Sequence, residues 1–284
     1  MGVTFNVIEK EFQRGRTSAY QLSILIGVDS LVYSVYEGTT EQLLLLKSLS
    51  LPPNKNYAAE YASELDSAIG REDFLHPVYQ KVRIAFHDVP VSLVPTRLYN
   101  EEEKATYIEG LTSQPADGEV YTDTIEPLRL RVVCKLNEAV TDVVKARFSN
   151  VRIFNAATPF LIGSHRSIPE GVEETAFACF REKSFQLALF RQGGLLFYNR
   201  FEYQAASDVL YFLLLAYEQH GLDPDHVPLF LSGHLLKDSE IYKILYRYVA
   251  DVSFLPGPSY VRFGKSISSL DPNLLFPLHA LLLC

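Results

Sequence analysis

The stretch Tyr20–Tyr36, YQLSILIGVDSLVYSVY, decides how this chain is read. Leu22–Ile26 and Leu31–Tyr36 are apolar, β-branched and aromatic runs of strand length, and Gly27-Val28-Asp29-Ser30 between them is turn chemistry. A third run, Leu43–Leu49, follows across Glu37-Gly38-Thr39-Thr40, so the spacing predicts three antiparallel strands. Pro52-Pro53-Asn54 then breaks the chain. Asn56–Ile69 reads as a helix closed by Gly70.

The same order returns from Glu174. Thr175–Phe180, Phe185–Phe190 and Leu195–Phe201 read as strands, with turns at Arg181–Ser184 and Arg191–Gly194. A helix follows over Ala205–His220, and its centre is apolar on every side, which predicts burial between layers. Val227–Leu231 leads through Ser232-Gly233-His234 into an acidic helix start and a helix to Val249. Val91–Val94, with Pro95-Thr96-Arg97 and Glu101-Glu102-Glu103, reads as its counterpart in the first half.

Leu128–Leu136, Glu138–Phe148, Val151–Phe154 and Thr158–Ile162 complete the first half as strand, helix, strand and short helix. Val252–Leu255 as a strand and Pro272–Leu283 as a closing helix complete the second. Gly110–Pro127, rich in turn residues, reads as an exposed loop, and His165–Glu173 as the joint. The expected halves are therefore residues 1–168, with the N-terminal segment and the loop 110–127, and residues 169–284, with the C-terminal helix.

Three antiparallel strands, a helix and alternating β/α units, occurring twice, resemble the duplicated ribonuclease-H-like α/β fold of actin, sugar kinases and heat-shock chaperones. YQLSILIGVDSLVYSVY and FACFREKSFQLALFRQGGLLFYNRF (Phe177–Phe201) further resemble a family of Bacteroidota proteins assigned an actin-like ATPase fold and a domain of unknown function. The resemblance covers nearly the whole chain from about Phe5. It implies a fold and brings no activity with it.

In the wider superfamily, Asp-x-Gly at the first hairpin of each half and a Gly-Gly pair near the adenosine hold a nucleotide between the halves. Glycine lets backbone N–H groups approach phosphate, and the carboxylate orients hydrated Mg²⁺. Here Asp29 is followed two places later by Leu31, Arg181-Glu182-Lys183-Ser184 has neither Gly nor Asp, and Ser232-Gly233-His234 has a single glycine. These departures argue against turnover of ATP. The reading is a pseudo-ATPase without cofactor that binds an unidentified protein partner or acts as an assembly scaffold, with the oligomeric state left open. The alternative is a divergent ATP-dependent hydrolase or phosphotransferase. It would hold Mg-ATP in the cleft between halves with Asp29, Ser30, Arg181, Lys183, Ser232 and Gly233. A third reading gives Arg181 and Lys183 a small anionic substrate.

Other constellations have simpler explanations. His220, Asp223, Asp225 and His226 gather possible metal ligands, but Gly221 and Pro224 mark a helix end there. His87-Asp88 would point to opposite faces of a strand and reads as a turn before Pro90. Gln192-Gly193-Gly194 is a hairpin turn, Glu101–Glu103 a solvated helical turn, and the stripe Tyr242, Leu245, Tyr246, Val249 core packing.

Composition narrows the classes further. The chain has 284 residues, 48% hydrophobic and 21% charged, the balance of a globular protein with a sizeable core. A net charge of −8 offers no basic surplus for nucleic acid. Cys134, Cys179 and Cys284 are widely spaced and odd in number, which argues for reduced thiols and a cytoplasmic setting. No apolar run approaches a membrane span; Val209–Tyr217 is the longest, and Pro277 and His279 interrupt Leu274–Cys284.

Overall fold

A computed structural model describes residues 5–52, 59–111 and 118–284. Contacts divide these residues into two units, one of residues 5–159, 259–269 and 278–284, the other of residues 160–258 and 270–277. The chain has a mixed α/β fold.

In the first unit β1 (Asn6–Ile8), β2 (Tyr20–Ile26), β3 (Ser30–Glu37) and β4 (Gln42–Ser50) precede helix α1 (Ala59–Arg71) and β5 (Lys81–Phe86). A small antiparallel sheet follows, with β6 (Val91–Pro95) and β7 (Gly118–Ile125) on either side of β8 (Leu130–Asn137). Then come α2 (Glu138–Arg147), β9 (Val151–Asn155) and α3 (Ala157–Arg166), which carries the chain into the second unit. The main sheet runs β1-β4-β3-β2-β5-β9. Strands β2, β3 and β4 form the antiparallel meander, and β5 and β9 join it in parallel.

In the second unit β10 (Glu174–Phe180), β11 (Ser184–Arg191) and β12 (Gly194–Glu202) lead into α4 (Ala206–Gln219). Next come β13 (Leu229–Gly233), α5 (Glu240–Tyr248) and β14 (Val252–Phe254). The sheet order β12-β11-β10-β13-β14 repeats β4-β3-β2-β5-β9 of the first unit. The two-residue strand β15 (Arg262–Phe263) returns to the first unit and pairs parallel with β4, and α6 (Phe276–Leu281) closes the chain.

Helix packing follows the apolar stripe. Tyr61, Ala62, Leu65 and Ile69 of α1, spaced to fall on one helical face, bury against Leu22, Ile24 and Ile26 of β2. Val209, Leu213, Ala216 and Tyr217 of α4 do the same over Ala176, Ala178 and Phe180 of β10.

Several expectations are corrected. Strand β5 takes the place in the first sheet that Val91–Val94 was expected to hold; those residues form β6 of the small sheet. Thr96–Glu103 builds no regular helix, because Asn100 Oδ1 accepts from Glu102 N–H at 3.2 Å and Tyr107 Oη donates to the Leu98 carbonyl at 2.9 Å, leaving short 3₁₀ turns. The expected loop 110–127 holds β7, whose Tyr121 and Asp123 pair with Cys134 and Val132 of β8; residues 112–117 of that loop lie outside the described residues. Gly70 keeps a helical conformation inside α1 rather than capping it, and the expected start at 56–58 lies outside the described residues. Helix α4 buries one face, while Tyr211 on the opposite side is 61% exposed. In the α5 stripe Leu245 and Val249 are buried, but Tyr246 is 63% exposed. The closing helix is a 3₁₀ turn, Pro272–Leu275, followed by α6, with Pro277 at its start.

Candidate functional site

In open α/β sheets ligands gather beyond the carboxyl ends of the parallel strands. In the first unit that region contains the β2–β3 turn, the residues after β5 and the end of β9. Ile26 pairs with Phe86, and His87 N–H then donates to the Ile26 carbonyl at 2.8 Å. The turn is bound inward. Gly27 N–H donates to the Ser30 carbonyl at 2.8 Å, Leu51 N–H donates to the Asp29 carbonyl at 2.7 Å, and Ser30 Oγ donates to Asp29 Oδ1 at 2.9 Å. From α1 the buried Tyr61 hydroxyl donates to the Gly27 carbonyl at 2.6 Å.

The second unit repeats this construction. Phe180 pairs with Gly233, and His234 N–H donates to the Phe180 carbonyl at 2.8 Å, as His87 does to Ile26. Arg181 N–H donates to the Ser184 carbonyl at 2.8 Å, and the Tyr203 hydroxyl donates to the Arg181 carbonyl at 2.6 Å. Tyr203 therefore closes its hairpin as Tyr61 closes the other. Arg181 and Lys183 stand at the same strand ends as Ser232 and Gly233, so the four residues share one locality. Asp29 and Ser30 belong to the first unit.

Ser232 is buried, and its hydroxyl donates to the Ala178 carbonyl at 3.4 Å. Gly233 has φ +79°, and a Cβ there would overlap the carbonyl oxygen of Phe180. The glycine serves close approach of two strands. Leu235 N–H donates back to the Gly233 carbonyl at 2.9 Å. The N–H groups of Gly27, Arg181, His234 and Leu235 are thus committed to protein carbonyls.

A further polar cluster at the first sheet's carboxyl edge was not singled out in the sequence. Asp123 of β7 accepts at Oδ2 from the Thr158 hydroxyl at 2.6 Å and from Asn155 N–H at 3.3 Å. Asn155, at the end of β9, accepts from Ala157 N–H at 2.9 Å to start α3 and donates from Nδ2 to the Val89 carbonyl at 3.1 Å. Burial raises the Asp123 carboxyl to about 6, partly opposed by Thr158, Asn155 and the Arg152 charge. Asp123 lay in an expected loop, so only its proximity to the end of β9 marks it. Nearby Cys134 is buried, which pushes its thiol well above the ordinary range. Cys179 is raised by burial to about 11.

The other sequence candidates resolve into local structure. Gly221 takes φ +64° after α4. His226 Nδ1 lies 2.7 Å from Asp223 Oδ2, which also faces the Asp225 N–H side of the turn, where Oδ1 accepts at 3.0 Å. His87 is buried and Asp88 takes φ +59°, a turn conformation that Asp tolerates. Glu101 pairs with Lys104 at 2.9 Å on the surface. Among the described residues no group of three or more His, Cys, Asp or Glu side chains is placed to hold a metal ion, and no helix is long and apolar enough to cross a membrane.

Residues 9–252 match the family model described as protein of unknown function, DUF3822. The chain belongs to this family. A search of curated proteins returns no match. Among solved structures, the DUF3822 chain is similar to a Bacteroides thetaiotaomicron protein with actin-like ATPase fold and unknown function, at TM-score 0.77 and 18% identity over 96% of this chain and 99% of that one. It is also similar to a PilM–PilN type IV pilus biogenesis complex, at TM-score 0.62 and 15% identity over 94% of this chain and 98% of that one. At these identities the likeness is one of fold.

Proposed function

We propose that this chain is a non-catalytic actin-like protein that works by binding a protein partner. The observation that carries the reading is the internal closure of both hairpin turns, by Tyr61 on Gly27 and Tyr203 on Arg181. The Gly27 and Arg181 N–H groups also donate to carbonyls of their own hairpins, and neither turn carries the Asp-x-Gly that lets backbone N–H groups approach a phosphate. The similarity to a PilM–PilN complex adds that this fold is found bound to another protein.

The rival reading is a divergent nucleotide-binding protein using Asp29, Ser30, Arg181, Lys183, Ser232 and Gly233. One feature favours it: the exposed Lys183 ammonium makes no ion pair among the described residues. Thermal unfolding with and without millimolar Mg-ATP, in the wild type and Asp29→Ala, separates the two. The expected result is an unchanged midpoint and no phosphate release. A ligand present at about 100 times its dissociation constant stabilises by about 2.7 kcal/mol, so a raised midpoint abolished by Asp29→Ala would replace the proposal with its rival.

A further inference from the structure

The repeated sheet order sets β4 of the first unit and β12 of the second at equivalent edges, and the two edges are finished differently. The outer edge of β4 is occupied. There β1 pairs antiparallel along Leu45–Lys47 and β15 pairs parallel along Gln42–Leu43, and Leu43, Leu44, Leu45 and Leu46 are buried. Among the described residues β12 pairs with β11 alone. Its Leu195, Leu196, Phe197, Tyr198 and Phe201 are left half-buried. A nine-residue apolar edge with neither proline nor lysine is a template for another strand.

The ladder determines which backbone groups face outward. Tyr203 N–H donates to the Lys183 carbonyl at 3.0 Å, so by alternation Phe201, Asn199 and Phe197 bond to β11. Tyr198, Arg200 and Glu202 then turn their N–H and C=O groups to the outer edge. Arg200 N–H is met there by Asn199 Oδ1 at 2.9 Å, which an incoming strand displaces. Helix α4 runs along the same edge, because Phe201 stacks on Phe212 at 4.4 Å and Phe197 meets His220 at 5.1 Å. These contacts span roughly 13 Å of strand and 12 Å of helix. Phe197 lies 6.3 Å from Phe201, so Phe197, Phe201 and Phe212 form one aromatic ledge. Asp208 and Leu215 neighbour Phe212 by helical spacing, and Glu218 neighbours Leu215.

Backbone and charge together select the occupant. A row of outward N–H and C=O groups is matched by an extended polypeptide. Glu202, Asp208 and Glu218 line the ledge beside Arg200, whose Nη2 already donates to Glu202 at 3.2 Å. A second copy pairing antiparallel about a twofold axis would set the Asp208 end of one ledge against the Glu218 end of the other, carboxylate on carboxylate. We propose that the β12 edge is the docking site for an extended segment of a protein partner, a strand that alternates apolar residues with lysine or arginine. Its apolar side chains lie on Phe197, Phe201 and Phe212, and its cations reach Asp208 and Glu218. This rests on the partner-binding reading above and adds to it the surface and the chemistry of the partner.

The experiment titrates the whole chain with a capped eight-residue peptide of alternating lysine and valine, followed by calorimetry and amide hydrogen exchange. Binding is expected with a dissociation constant below about 1 mM, with added protection on residues 194–202. The same peptide with glutamate in place of lysine should bind about tenfold more weakly. Arg200→Pro removes an outward N–H at a place where an edge strand tolerates proline. It should weaken binding about tenfold, although it also deletes a cation that opposes the peptide. Glu218→Lys should weaken binding about threefold, and Glu60→Lys on the exposed side of α1 should leave it unchanged. No binding at about 1 mM, equal binding of the two peptides, or insensitivity to both β12-edge variants overturns the proposal. Protection of β12 already present in the free monomer gives the edge to another segment of this chain, and a dimer lost in Arg200→Pro gives it to a second copy; either result overturns the proposal. None of these outcomes changes the Mg-ATP result, so the partner-binding reading stands or falls separately.

Discussion

The carboxylate of Glu9 accepts the backbone N–H of Ile267 at 2.8 Å across 258 residues of sequence, and that of Ser266 at 3.0 Å. Glu9 is buried, and Gly264 packs so closely that a Cβ there would overlap the Glu9 carboxyl. This contact pins the returning segment of β15 to the outer edge of the first sheet, where β1 and β15 both pair with β4.

Removing that acceptor strands the buried Ile267 N–H and frees the Ser266 N–H beside it. Glu9→Ala is expected to lower stability by about 1–3 kcal/mol, read as a lower midpoint in urea unfolding. Glu9→Gln, which keeps one acceptor oxygen, should lose less. Equal losses for the two variants would show that the contact carries no specific stabilisation.

The tyrosine closures make a paired prediction. Tyr61→Phe and Tyr203→Phe each remove one hydroxyl and keep the ring. Each should cost about 0.5–1.5 kcal/mol, with the larger loss at the fully buried Tyr61. Chemical denaturation measures both, and a cost of zero at Tyr61 would remove the reason for reading that turn as closed.

Gly233 is held at φ +79° against the Phe180 backbone, so its replacement meets both backbone strain and overlap. Gly233→Ala should destabilise by more than about 2 kcal/mol. Gly15, with nothing within 4 Å of its Cβ position and no positive φ, should accept Ala with a change below about 0.5 kcal/mol. The comparison in urea separates the close approach from a general effect of losing glycine.

Asp123 links stability to pH. Its folded carboxyl titrates at about 6, above the roughly 3.9 of an unfolded Asp, because burial disfavours the charged form. Between these values the folded state binds the extra proton. The Asp123 contribution is therefore fully present below about pH 4, falls as pH rises, and is lost above about 6, a change of roughly 1–3 kcal/mol. Asp123→Asn should flatten this component, seen as a smaller fall in stability from pH 4 to 6 than in the wild type. Parallel pH curves would contradict the assignment.

The meanders β2–β4 and β10–β12 were legible because their strands are apolar runs separated by turn residues, and that pattern depends only on local sequence. Strand β5 was not, because Lys81 and Arg83 interrupt KVRIAF with charge. Arg83 is nevertheless buried, donating from Nε to the Cys284 carbonyl at 2.9 Å and from Nη1 to Gln21 Oε1 at 2.8 Å. Those acceptors lie 201 and 62 residues away, beyond any local pattern. Strand β7 was hidden for the same reason: Thr122, Asp123 and Thr124 look like a loop until β8 and the end of β9 supply their partners. The hairpin positions of Asp29, Arg181 and Lys183 were visible as turns, whereas Tyr61 and Tyr203 carried no local sign of what their hydroxyls bind.

Hydrophobic periodicity and turn chemistry, both local properties, by themselves determined that the chain forms two α/β units, each led by three antiparallel strands and a helix. The tertiary structure alone decided that β5, not Val91–Val94, extends the first sheet, that Glu9 meets Ile267, and that α4 leaves Tyr211 on its outer side. A polar side chain is stable in a core only when a partner satisfies it, and an apolar one stays outside only when nothing covers it. Both conditions depend on residues distant in sequence, which folding alone brings together.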